Sequence, residues 1–228
     1  MNVSKFIVTA IFTLGAAIAQ AETLSLKTAE QAYYNGHAMA LENMLAESAP
    51  NDQLVIRYRL GSLALGKQNN EAAKNIMQAL MLDLENEVKA NPKNAEAWGL
   101  LSSVYGMMTF LEPSMAMTYG PKAGFAEASA ADADKHNPMV LMLTGVNKFH
   151  TPEQWGGGKQ TAYDYLTKAI NAYQAAGETR TWGYADALAW RGMAASALGN
   201  TEQAKKDIET SIKLQPNYGL AQQALAGI

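Results

Sequence analysis

Between Leu54 and Leu214 the apolar side chains recur at intervals of three and four rather than two, so the chain reads as a succession of helices. The pattern is sharpest over residues 185–218. Gly192 sits in a first helix, Gly199-Asn200 breaks it, and Ala204, Ile208 and Ser211 follow at spacings of four and three before Pro216 stops the second helix. This spacing places a small residue where two helices cross and a larger apolar residue one turn later. No stretch sustains the apolar-polar alternation of a half-buried strand, and no sheet is expected.

Three further helix pairs can be laid out upstream. The first begins near Leu54, with Leu60-Gly61 in its first helix and Ala73 and Met77 in its second, which runs to about Ala90 and ends at Asn91-Pro92. The second begins at Ala95 with Trp98, Leu101, Ser102 and Tyr105. Its second helix is expected to lie about 12 residues late, after a loop over 109–122, with a stripe of Ala126, Ala130 and Ala133 ending at Asn137-Pro138. The third carries Met139, Leu141, Met142, Leu143 and Val146, then a loop over 150–158, then Ala162, Leu166, Ala169 and Ile170. Residues 28–47 predict one or two N-terminal helices with Gly36 at their boundary. A short loop is expected over 177–181, and residues 218–226 predict a closing helix.

The 185–218 pattern resembles the tetratricopeptide repeat, whose period is about 34 residues. The resemblance implies an all-α fold, an α-α superhelix or solenoid of stacked antiparallel helix pairs, because one pair cannot bury its apolar stripe alone. In that family, certain first-helix positions line a concave groove. Here they correspond to Glu96, Gly99, Ser103, Gly106 and Met107 in the second unit, and to Asp186, Ala189, Met193, Ser196 and Ala197 in the fourth. Family members that hold peptide carboxylates carry Lys, Arg and Asn there. This set of small residues and methionine suits an apolar helix or extended segment better.

Residues 1–21 are expected to be a cleaved signal peptide. Lys5 supplies the positive end, residues 6–18 are apolar, and Ala19-Gln20-Ala21 is a small-x-small cleavage pattern, so cleavage is placed after Ala21. The apolar run is shorter than the roughly 20 residues a membrane span needs. The expected mature chain, 22–228, is one helical repeat domain, exported to the periplasm or secreted, with no membrane span. The sequence has no cysteine, which removes disulfides and thiolate chemistry together. A net charge of −3, without clustered Lys and Arg, argues against a nucleic-acid partner.

The strongest local oddity is Trp155-Gly156-Gly157-Gly158-Lys159. Consecutive glycines before a helix can aim N–H groups at an anion, with Lys159 adding charge, or can simply reverse the chain while Trp155 plugs the core. The segment is similar to a Thr-Pro-x-x-aromatic-Gly-Gly-Gly-Lys loop of exported bacterial repeat proteins. More loosely, it is similar to an aromatic-Gly-Gly element in the helical component of certain periplasmic solute transporters. That similarity implies a small-ligand pocket built from Tyr119, His150, Trp155, Gly156, Gly157, Gly158 and Lys159.

Six methionines lie between Met107 and Met142, yet their spacing reads as core filling rather than Cu(I) ligation. Three histidines without paired spacing offer no metal site, and no nucleophile motif occurs. Trp182, Tyr184 and Trp190 around Arg191 read as junction packing rather than a platform. The expectation is a non-enzymatic interaction module without cofactor, presenting a groove to a protein or peptide of the cell envelope. The alternative is a periplasmic binder of a small apolar ligand.

Overall fold

Four asparagines start helices in the same way. The side chain of Asn69 accepts the N–H of Ala72, Asn94 that of Ala97, Asn137 those of Met139 and Val140, and Asn200 that of Gln203. Each satisfies a donor that a helix end otherwise leaves unpaired. In a computed structural model, which describes residues 26–177 and 182–228, these caps open four of a series of α-helices.

The helices are α1 (26–34), α2 (Ala38–Leu45), α3 (Pro50–Gly66), α4 (Asn70–Ala90), α5 (Ala95–Leu111), α6 (Ala116–Asp134), α7 (Pro138–His150), α8 (Lys159–Ala175), α9 (Tyr184–Ala197), α10 (Thr201–Leu214) and α11 (Gly219–Ala226). Single 3-10 turns, Pro113–Met115 and Glu153–Trp155, precede α6 and α8. No strand occurs among the described residues. The expected signal segment lies outside them, as do residues 178–181 of the expected loop over 177–181.

The pairs are α3/α4, α5/α6, α7/α8 and α9/α10. The first helices α3, α5, α7 and α9 touch in succession, while α4 packs on α5 and α8 on α9. Close crossing explains the small residue in each first helix. A methyl on Gly192 would come within 2.6 Å of the Ile208 side chain, and Ser102 uses its hydroxyl to reach the Ala123 carbonyl at 2.9 Å. The main core runs through Met77, Leu84, Leu100, Val104, Met108, Leu143, Leu166 and Ile170, all buried.

The N-terminal segment forms two helices, and Gly36, at φ +70°, is where they part. One expectation fails. Most of the supposed loop over 109–122 is helical, so the second helix of the second unit is not displaced. α6 starts at Ala116 and contains Pro121. Proline there forfeits only the bond to the Met117 carbonyl, near the helix start and beside a side chain that is 86% exposed, where water can replace it. Tyr119, buried and stacked on Tyr105 with ring centroids 6.0 Å apart, fixes this start against α5.

Candidate interaction face

The C-terminal halves of the first helices carry half-buried Met107 and Gly106 on α5, Val146 and Phe149 on α7, and Trp190, Met193 and Ser196 on α9. Between α7 and α9 the rings of Phe149, His150 and Trp190 meet edge to face, each pair of centroids 5.2 Å apart. Desolvation against these rings, and then the Lys159 charge, hold the His150 imidazole below its ordinary value. Phe110 at the end of α5 is 64% exposed. The face is therefore apolar, aromatic and partly open.

The opposite end of α9 is shut. Asp186, at the start of α9, is buried and accepts Tyr34 Oη (2.6 Å), Arg59 Nη2 (2.7 Å) and Tyr218 Oη (2.7 Å). Those partners come from α1, α3 and the residue capping α11, so the coil's first and last units meet. Glu30 of α1 accepts the Gly183 N–H at 2.9 Å, and Asn217 donates to Asn35 at 2.8 Å. The Arg59 guanidinium lies over the rings of Tyr33 (4.0 Å) and Trp182 (4.6 Å). Tyr34, Ala185, Ala189, Tyr218 and Ala221 form a buried cluster around this junction. Burial raises the Glu30 pKa to about 7, with Arg59 opposing and Asp186 adding to the rise. For Asp186, burial also acts upward but is outweighed by Arg59 and by the hydrogen bonds from Arg59, Tyr34 and Tyr218, which hold it below its ordinary value.

The predicted groove residues thus divide. Met107, Met193 and Ser196 are half-buried on the open part, Glu96 is exposed and accepts Asn137 Nδ2 at 3.1 Å, and Ser103 is buried. Asp186 faces the chain's own residues rather than solvent. Arg59 and Glu30, which complete its surroundings, were not singled out from the sequence. A buried charge on α3 paired across 127 residues has no local signature.

The glycine loop reverses the chain between α7 and α8. The N–H groups of Gly156, Gly157 and Gly158 all donate to carbonyls of the loop and of α7, those of Glu153, Pro152, and both Lys148 and Thr151. Lys159 Nζ donates to the Phe149 carbonyl at 2.6 Å and sits over that ring. None of the three glycine N–H groups is left for an anion. Trp155 does not plug the core; it stands 71% exposed, because the 3-10 turn projects it away from α7 and α8. Tyr119, by contrast, is buried between α5 and α6 and hydrogen-bonds Glu112 at 3.3 Å. Shallow depressions of about 480 Å³ on α10 and about 400 Å³ between α3 and α4 involve none of the predicted pocket residues.

The three aromatic residues around Arg191 serve separate junctions. Trp182 covers Arg59, Tyr184 meets Tyr173 at 5.7 Å, and Trp190 joins α7 to α9. Arg191 itself forms a two-point pair with Asp207, both contacts 2.7 Å. Among the methionines, Met108, Met139 and Met142 are buried, and no cluster of metal-binding His, Asp or Glu occurs among the described residues. No described helix is long and apolar enough to cross a membrane.

Residues 185–218 match the tetratricopeptide repeat family. Among solved structures, the thermophilic TPR protein TTC0263 of Thermus thermophilus is similar, with a TM-score of 0.56 at 14% identity, over 90% of this chain and 97% of that one. MamA is similar at a TM-score of 0.44 and 21% identity, over 73% of this chain and 80% of its own. No curated protein matches the sequence.

Proposed function

We propose that this helical repeat protein, with its tetratricopeptide repeat at residues 185–218, is an exported, non-catalytic interaction module whose partner is a protein segment of the cell envelope. The partner would lie along the C-terminal halves of α5, α7 and α9. What carries the reading is the contrast between the two ends of α9. One end is sealed by paired charge and tyrosines. The other leaves Trp190 and Met193 half-buried with Met107, Val146 and Phe149 of the other first helices, beside the exposed Phe110.

Such a surface gives an apolar segment area to bury at about 25 cal/mol per Å². Methionine repacks around different side chains, and the small residues Gly106 and Ser196 let a helix approach. The lysines and arginine beside it are already engaged, Lys148 with Glu127, Lys159 with the Phe149 carbonyl and Arg191 with Asp207. The N-terminal signal pattern alone supports export.

The test is site-specific photocross-linking in the producing cell. A photoreactive residue at Met193 should capture a discrete protein, and one at Leu82, 59% exposed on α4, should not. Equal capture at both positions, or capture only at Leu82, removes the concave face from consideration.

A further inference from the structure

Among the described residues, the junction between α1, α3 and α9 holds two carboxylates and one cation. Asp186 is satisfied by Arg59, Tyr34 and Tyr218 at 2.6–2.7 Å. Glu30 stands farther from the guanidinium, 3.7 Å from Nη2. Its Oε1 also lies 3.1 Å from Tyr34 Oη, a phenol with a single hydrogen already directed at Asp186 by the shorter contact. Two acceptors at one hydrogen leave an oxygen-oxygen contact that a proton on Glu30 turns into a hydrogen bond to the phenol. The charge count agrees: Arg59 with ionised Asp186 and neutral Glu30 sums to zero, whereas two carboxylates leave one buried negative charge unpaired.

Among the described residues no second cation faces Glu30. The groups acting on Glu30 are Tyr34 on α1, Arg59 on α3, Tyr173 on α8, and the Gly183 N–H and Asp186 at the start of α9, while Tyr33, Tyr58, Trp182 and Tyr218 surround the Arg59–Asp186 pair beside it. All the tyrosines are pushed above their ordinary values, first by burial, and stay neutral.

We propose that α1 is a proton-controlled latch: Glu30, seated as the neutral acid between Asp186, Tyr34 and Arg59, holds the first unit of the coil against the last, and loss of its proton releases α1. Release would uncover Asp186 and Ala189, extending the concave face toward the N-termini of the first helices. The latch works in the same way whichever partner that face takes.

The direction follows from proton linkage. A released Glu30 ionises near its ordinary value of 4.5, and the seated one near 7. The seated form therefore binds more protons between these values, and the latch is tightest below 4.5 and loosens as pH rises through 7. Asp186 acts oppositely, but its transition lies below its ordinary 3.8 and outside this window.

Hydrogen exchange of the backbone amides of residues 30–34, corrected for intrinsic rates, measures the opening of α1. Its opening equilibrium should rise on the order of tenfold to a hundredfold between pH 5 and pH 8. Amides of α5 to α8 should keep their protection. Glu30→Gln, uncharged and able to accept the Gly183 N–H, should flatten the profile. Asp186→Asn removes the neighbouring charge and should move the transition toward acid. The latch is overturned by a flat profile in the unaltered protein, by Glu30→Gln or Asp186→Asn tracing the same curve as the parent, or by α5 to α8 opening together with α1.

Discussion

Arg59 and Asp186 are 127 residues apart in sequence and 2.7 Å apart in space, each with a side chain only 4% exposed. The pair ties the first unit of the coil to the last. Cutting one partner strands a buried charge, so Asp186→Ala should lower unfolding free energy by about 3–5 kcal/mol in urea titrations. The double change Arg59→Leu with Asp186→Leu should cost less than Asp186→Ala alone. Since Arg59 and the hydrogen bonds hold Asp186 below its ordinary 3.8, its contribution is present above that value and lost as pH falls through its folded value. The urea midpoint should accordingly drop on acidification below about pH 4.

The asparagine caps act locally and separately. Asn69→Ala or Asn200→Ala removes the acceptor for one helix-end N–H and should cost about 1 kcal/mol each. Because each cap bonds only within its own helix start, the two effects should add in a double variant, as read from chemical denaturation.

Within the 150–158 loop the glycines differ. A side chain on Gly157 would collide with the Thr151 backbone, whereas Gly156 opens onto free space and only its φ of +77° resists substitution. Gly157→Ala should therefore lower the melting temperature markedly more than Gly156→Ala, whose left-handed backbone costs about 1–2 kcal/mol. Equal losses in calorimetry would contradict a close approach at Gly157.

Trp155 is held out into solvent by a loop whose glycine N–H groups are internally satisfied. Trp155→Ala should leave unfolding free energy unchanged within about 0.5 kcal/mol. Binding to the cross-linked partner should survive this change and fall at least tenfold with Met193→Glu, measured by calorimetric titration. The reverse ranking would move the proposed contact surface from the C-terminal half of α9 to the loop.

The helices themselves were legible in the sequence because they depend on neighbours. Asn-capped starts, proline stops and apolar residues at intervals of three and four act within a few turns, and Gly192 opposite Ile208 reports a crossing inside one repeat. The loop expected over 109–122 is mostly helix because a proline's effect depends on its position within a helix, and Tyr119 packing on Tyr105 sets Pro121 near the start of α6. The junction of Glu30, Arg59 and Asp186 could not be foreseen at all. Whether a charged residue faces water or a distant partner is decided by the accumulated rotation of stacked pairs, a sum of small angles that no local pattern encodes. The order of elements belongs to the sequence alone; the closing of the first unit onto the last arose only when remote charges met where water is excluded.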